Sequence, residues 1–275
     1  MSTLSEIVKD GLHYPWSNLK NTVLTGVFFL LTSIFYVFGN YYISQDIYSN
    51  FLYDSETFMQ FNYNSVFGWL NQVSPTALAV FIICILVAVI FYLVVQGYIY
   101  RVYENTVQEK KEFPEFNNFK SIFIQGFKIL IVNIAFSIIP AVLVAIGMYY
   151  NGIITVIGVI LEIIAILILP LALSNMCYNE SLKSAFEFKQ IIDILKSVGV
   201  GKYIGTLLFV CLVYIIIAIA WFIVMTILNI FALAIPFANI LCCLVLFVLS
   251  AIIYAYIVLF SVKVNGLLYN NGKDF

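Results

Sequence analysis

Charged residues are scarce in this 275-residue chain, at 10% of positions, whereas hydrophobic residues make up 63%. Ordinary soluble domains carry about 25% charged and roughly 45–50% apolar residues. With so little charge, the chain has too few polar side chains to cover a surface that faces water. The composition therefore excludes an ordinary soluble protein and predicts a membrane protein.

Groups that bind metals or perform catalysis are also scarce. The only histidine is His13, and the spacing of the five cysteines matches no zinc site. Intramembrane proteases need paired aspartates or a serine with a histidine, and the apolar runs contain neither arrangement. Every cysteine lies in an apolar run or near its basic flank, where disulfides are not expected. The sequence therefore predicts a protein that is not an enzyme, with no metal and no cofactor.

Six apolar runs are each about as long as a helix needs to be to cross a bilayer. They are Thr22–Tyr42, Thr76–Tyr98, Ile129–Met148, Ile153–Ser174, Tyr203–Ile227 and Ile235–Val262. The runs are continuous, whereas barrel strands would alternate apolar and polar residues. The predicted fold class is an all-α, polytopic membrane helix bundle with about six spans in a single integral membrane domain, residues 1–275.

Basic residues fall on one side of these spans. When the segments between spans are assigned alternately to two sides, all 13 lysines and arginines lie with the two termini, and the opposite loops carry none. The positive-inside rule then places both termini in the cytoplasm. We therefore expect a multi-pass protein of the cell membrane, with the first span acting as an uncleaved signal anchor.

Three short amphipathic stretches come before spans one, three and five. They are LSEIVKDGL, FKSIFIQGF and IDILKSVGV, and they superpose when Gly11, Gly126 and Gly199 are aligned. Apolar residues at spacings of three and four with lysines between them predict cytoplasmic interfacial helices. Two interpretations stay open: three pseudo-repeats, residues 1–100, 112–176 and 184–265, or the amphipathic character common to juxtamembrane segments.

Several short motifs resemble those of a known family. They are Leu12-His13-Tyr14-Pro15, Gln96-Gly97-Tyr98-Ile99-Tyr100-Arg101, Phe113-Pro114-Glu115-Phe116, Gly126-Phe127-Lys128 and Ala185-Phe186-Glu187-Phe188. With prolines at 140 and 170, these stretches resemble the archaeal and bacterial membrane family called domain of unknown function 4013. The resemblance implies the same membrane topology and brings no biochemical role with it.

One carboxylate, Glu162, stands alone in the fourth apolar run. Polar groups at mid-depth in a membrane hold helices together or mark an ion or solute path. Candidate partners for Glu162 are Asn133, Ser137, Tyr214 and Ser250, and candidate kinks are Pro140 and Pro170. We expect a protonated Glu162 that faces inward and is bonded across the bundle. Gluing helices and handling protons or cations both stay open as its role.

These features predict a non-enzymatic membrane protein that organises the membrane or binds a partner. The alternative is a small-solute or ion transporter or channel that uses Glu162. The expected partners are the lipid bilayer and anionic lipid headgroups at the cytoplasmic lysines. No nucleic-acid partner is predicted.

Overall fold

The computed structural model describes residues 3–53, 73–110, 113–235 and 238–273. Within these ranges the chain forms eight α-helices and one short 3₁₀ helix, Leu182–Phe186, and contains no strand. The helices are α1 Leu4–Ser17, α2 Leu19–Tyr53, α3 Pro75–Val107, α4 Phe119–Tyr150, α5 Gly152–Tyr178, α6 Phe188–Val198, α7 Val200–Ala234 and α8 Ala238–Asn270. The predicted all-α fold is confirmed.

Six of these helices, α2 to α5, α7 and α8, are long and apolar enough to cross a membrane. The first five predicted apolar runs lie within α2 to α5 and α7, which extend beyond them, whereas α8 begins at Ala238, three residues after the predicted start of the sixth run at Ile235. For example, α2 runs on to Tyr53, well past the predicted end at Tyr42. The prediction of six spans is confirmed, whereas the predicted boundaries are too narrow at every end except the start of the sixth run.

Helix α1 begins with a capping box. The Thr3 hydroxyl accepts from the Glu6 backbone N–H at 3.3 Å, and a Glu6 carboxylate oxygen accepts from the Thr3 N–H at 2.7 Å. Its buried face packs against α7 and α8. Gly11 belongs to this face, because a Cβ there would lie 2.4 Å from a methyl group of Val264. The apolar stripe of α1 therefore packs on protein.

Helix α6 is the second amphipathic helix. Ile191, Ile194 and Val198 are buried, and the helix packs against α5, α7 and α8. It ends at Gly199, whose φ of 88° is readily adopted only by glycine, and α7 starts at the next residue. A left-handed glycine thus separates the short helix from the span that follows.

The amphipathic helix predicted before the third span is not a separate element. Helix α4 starts at Phe119, after the N-cap residue Asn118, and continues without a break to Tyr150. Gly126 lies inside this helix and does not end it, because its missing side chain makes room for α3: a Cβ there would lie 2.0 Å from the Leu93 carbonyl oxygen. Two of the three predicted short helices are therefore present, and the third is the first turns of a span.

The described chain divides into two compact units, residues 28–92 and the remainder. In the unit of residues 28–92, α2 and α3 pack through Gly39, where a Cβ would lie 2.9 Å from Cys84 Cβ, and through stacked rings of Phe35 and Phe91. Asp46 accepts from the Ser74 N–H at 2.7 Å and from the Ser74 hydroxyl at 2.9 Å. This carboxylate therefore holds Ser74, whose hydroxyl caps α3 by accepting from the Ala77 N–H at 3.2 Å.

In the other unit the buried side chains gather at one end of the long helices. The C-terminal ends of α3, α5 and α8 meet there: Asn270 donates to the Thr106 carbonyl at 2.8 Å, and the rings of Tyr178 and Tyr269 lie 5.8 Å apart. Lys128 at the start of α4 reaches the Glu180 carbonyl at 3.3 Å. We call this part of the molecule, with α1 and α6, the basic end. The predicted repeat units stay a prediction.

Candidate functional site

Three of the sequence motifs meet at the basic end. The Tyr98 ring of α3 stacks on Phe116, with centroids 4.1 Å apart and planes 10° apart, and Tyr14 of α1 contacts Phe113 at 5.6 Å. Segment 113–118, the part of the α3–α4 connection directly before α4, therefore packs against aromatic side chains from two helices. Aromatic pairs add about 0.5–1.5 kcal/mol beyond their buried area.

Hydrogen bonds fix the backbone of segment 113–118. Asn21 of α2 donates to the Pro114 carbonyl at 2.8 Å, in a buried position. Arg101 Nη1 donates to the Glu115 carbonyl at 2.6 Å and to Asn117 Oδ1 at 2.9 Å, while Nε donates to Gln125 Oε1 at 3.0 Å. One guanidinium thus joins α3, the segment and α4, a task for which its planar fork of donors suits arginine better than lysine.

The glycines of two motifs make a close helix crossing beneath this segment. A Cβ at Gly97 would lie 2.0 Å from the Ile122 carbonyl oxygen, and one at Gly126 would lie 2.0 Å from the Leu93 carbonyl oxygen. Each glycine therefore receives the backbone of the opposite helix, and a side chain at either position would force α3 and α4 apart. The crossing sets the distance between Arg101 and Gln125.

Tyr14 is buried between the segment and α8. Lys263 Nζ lies 5.2 Å from the centroid of its ring and donates to Thr106 Oγ1 at 3.4 Å. The Tyr14 hydroxyl has no hydrogen-bond partner among the described residues, and burial raises the pKa of this phenol above its usual range. Tyr14 therefore stays neutral and acts as a packing group.

A cleft of about 1120 Å³ opens beside segment 113–118. The first turns of α2 form one wall, the end of α3 forms another, and the segment itself forms the third. Its lining residues are Asn18, Lys20, Asn21, Leu24, Asn105, Lys110, Phe113, Glu115, Phe116 and Asn117. Lysines, amides and one carboxylate thus surround a space large enough for a small molecule or a headgroup.

The model of the family described as a protein of unknown function, DUF4013, matches residues 80–230, more than half of the chain. The chain belongs to the DUF4013 family. The match spans every motif above except that of residues 12–15. An uncharacterised protein of Methanocaldococcus jannaschii is 26% identical over 212 residues, which cover 70% of this chain and 75% of the relative. No solved structure matches the chain.

The fifth DUF4013-like motif, residues 185–188, is held at the same end by a second buried asparagine. Asn175 of α5 donates to the Ser184 carbonyl at 2.8 Å and accepts from the Tyr269 hydroxyl at 2.7 Å. Phe136 of α4 contacts both Phe186 and Phe188, at 6.0 and 5.9 Å. Asn21 and Asn175 thus play similar parts, each fixing a carbonyl of an aromatic connecting segment.

None of the polar groups predicted as partners of Glu162 has a described hydrogen bond to it. Tyr214 is paired with Ser261 of α8, and Ser250 donates to the Phe247 carbonyl of its own helix at 2.7 Å. Glu162 is half-buried on α5, lines none of the four cavities described in this unit, and has no hydrogen bond to another described residue. Its role therefore stays a prediction.

The remaining candidates lie on α4 and α5. Asn133 is half-buried and Ser137 exposed on α4, where Pro140 is buried. Both helices continue through their prolines, and the Ser174 hydroxyl donates to the Pro170 carbonyl one turn earlier at 2.8 Å. A Cβ at Gly158 would lie 3.1 Å from the Pro140 carbonyl oxygen. The structure thus places Pro140 at a close contact between the two helices.

Sequence reasoning missed the asparagines that build the site. Asn18, Asn21 and Asn175 stand at the basic ends of spans, where amide side chains attract little notice among lysines and aromatics. A usable signal is an asparagine within one turn of a span end, paired with an aromatic connecting segment elsewhere in the chain, because such a segment needs donors for its carbonyl groups.

Proposed function

We propose that this protein is a non-enzymatic, multi-pass protein of the cell membrane, with both termini in the cytoplasm, that organises the membrane by binding anionic lipid at its basic end. The observation that carries the proposal is a set of exposed apolar side chains next to exposed lysines. This interfacial belt consists of Trp16, Phe119, Lys120, Phe188, Lys189, Ile192, Lys196 and Val200.

The belt has the chemistry of a membrane–water boundary. Trp16 is 66% exposed, Phe119 51% and Phe188 50%, although all three lie beside well-packed parts of the protein. Aromatic side chains are enriched at bilayer interfaces, and lysines beside them extend their ammonium groups towards headgroups. The composition of the belt therefore supports the proposal that the basic end lies at the depth of the lipid headgroups.

An apolar groove adjoins Trp16. It has a volume of about 510 Å³ and lies between α1, the start of α2, α7 and α8, with Ile216, Ile253 and Tyr256 among its lining residues. Tyr256 donates to the Leu12 carbonyl at 2.9 Å, so the hydroxyl group of this lining residue has a hydrogen-bond partner. A lipid chain fits such a surface, and its headgroup would lie at the level of the belt.

Charge gives the belt its expected selectivity. Each lysine near an anionic leaflet contributes about 1 kcal/mol of attraction, an effect that salt weakens. The loops assigned to the opposite side carry no basic residue, so the attraction acts at one end only. The protein would then gather anionic lipid around its cytoplasmic side.

We expect the triple variant Lys120→Gln, Lys189→Gln, Lys196→Gln to lose its preference for anionic lipid by about tenfold or more. The measurement is native mass spectrometry of full-length protein released from nanodiscs that mix phosphatidylglycerol and phosphatidylcholine. The ratio of retained lipids is compared with that of the parent. The matched control is the same triple change to arginine, which keeps every charge and should retain the parent ratio. A triple glutamine variant with the parent ratio would contradict the proposal.

A further inference from the structure

The cleft beside segment 113–118 has a fixed shape before any ligand arrives. The segment is held by Asn21 at Pro114, by Arg101 at Glu115 and by the stacked pair of Tyr98 and Phe116. Binding to a wall that is already ordered loses little conformational entropy, and this favours affinity. The wall of the cleft is therefore ordered before a ligand binds.

Two ammonium groups line the cleft. Lys20 is exposed and has no acidic partner within salt-bridge distance among the described residues. Lys110 lies 2.7 Å from Glu104, yet its side chain is 46% exposed and an ammonium group has three donors. Both lysines thus keep donors for an anion.

Glu115, the one carboxylate that lines the cleft, also has an oxygen that can accept a further hydrogen bond. Glu115 Oε2 accepts from Asn117 Nδ2 at 3.1 Å, whereas Oε1 has no bond to a described residue. A carboxylate beside two lysines would repel an anion that has no hydrogen-bond donor. If the anion carries a hydroxyl group, the carboxylate can accept a hydrogen bond from that hydroxyl group. The lining therefore favours a ligand that combines an anionic group with a hydroxyl group.

We propose that this cleft binds one phosphate ester that carries hydroxyl groups, with the phosphate at Lys20 and Lys110 and a hydroxyl group donating to Glu115. Its volume is close to the roughly 300–1,000 Å³ typical of small-molecule sites. A lipid headgroup and a soluble phosphate ester share this chemistry. Leu24 and Phe116 offer apolar contacts for the carbon skeleton of either. The cleft shares no residue with the interfacial belt, so the two proposals stand or fail separately.

The test uses full-length protein in nanodiscs and two probes. In one arm, glycerol phosphate is titrated into phosphatidylcholine nanodiscs. In the other, the nanodiscs contain a minor fraction of phosphatidylglycerol, and bound lipid is counted by native mass spectrometry. We expect saturable binding of one molecule in at least one arm, and the arm identifies the source. No saturable binding in either arm would overturn the proposal.

Variants locate the binding. Lys20→Gln and Lys110→Gln should each weaken it about tenfold, the loss expected for one charge-assisted hydrogen bond, while Lys9→Gln, the same change on exposed α1 surface, should leave it unchanged. Glu115→Gln should strengthen binding of inorganic phosphate, because a repelling charge is removed and the amide can still bond Asn117. The triple belt variant should still bind one molecule.

Two outcomes of these variants would overturn the proposal. One is equal binding by Lys20→Gln and Lys9→Gln in folded protein. The other is loss of the one-to-one binding in the triple belt variant while Lys20→Gln binds like the parent, which would place the ligand at the belt.

Discussion

Gly126→Ala should lower the free energy of unfolding by about 3 kcal/mol or more. A Cβ at this position would lie 2.0 Å from the Leu93 carbonyl oxygen and 2.9 Å from the Gly97 backbone nitrogen. Because both atoms belong to a helix backbone, no side-chain rotation relieves the contact, and α3 and α4 must separate. Overpacking a well-ordered core usually costs about 1–3 kcal/mol, and a backbone clash belongs above that range.

The measurement for this prediction is thermal unfolding of full-length protein in detergent. The matched control is Gly201→Ala in the first turn of α7, where a Cβ would meet no heavy atom within 4 Å. That change should be neutral or should stabilise the protein by up to about 1 kcal/mol, because alanine favours the helix. Equal melting temperatures for the two variants would show that α3 and α4 do not cross at Gly126.

Asn175→Leu should also destabilise the protein by about 3 kcal/mol or more. Leucine has a similar size, but it removes the donor to the Ser184 carbonyl and the acceptor of the Tyr269 hydroxyl. Both partners lie in buried surroundings, and a buried polar group left without a hydrogen bond costs about 1–3 kcal/mol. The two losses occur together because one amide serves both groups.

Asn229→Leu is the control for this second prediction. Asn229 is exposed on α7 and donates only to the Met225 carbonyl of its own helix, at 2.8 Å. Its replacement leaves no buried partner without a bond, so the melting temperature in detergent should stay near that of the parent. If Asn175→Leu also melts like the parent, the 3₁₀ helix and α8 are not joined through this amide.

The spans were predictable from the sequence because hydrophobicity is a local property. The run from Ile153 to Ser174, for example, lies wholly within α5, and no contact with another part of the chain is needed to recognise it. The positions of the lysines can also be read directly from the sequence. They assigned to one side the segments that the structure brings together at the basic end. Lys128, for instance, reaches Glu180, and Lys202 reaches Asn271.

The site was not predictable because its contacts join distant parts of the chain. The bond from Asn21 to Pro114 links residues 93 positions apart, and the pattern around either residue alone does not indicate the other. The glycine alignment failed for a related reason. Gly11 and Gly126 make room for neighbouring helices, whereas Gly199 ends a helix with a positive φ. Glycine therefore serves two purposes, close helix packing and a positive φ, and the spacing of glycines along the chain does not show which of the two applies.

The central claim is that the motif of residues 96–101 and that of residues 113–116 form one packed cluster at the basic end. A double-mutant cycle between Tyr98→Leu and Phe116→Leu, read as the free energy of unfolding in detergent, tests it most directly, since the two rings stack at 4.1 Å. The structure predicts a coupling of about 1 kcal/mol, so that the double variant loses less than the sum of the single losses. Losses that add to within about 0.3 kcal/mol would show that the two rings do not touch, and would contradict the claim.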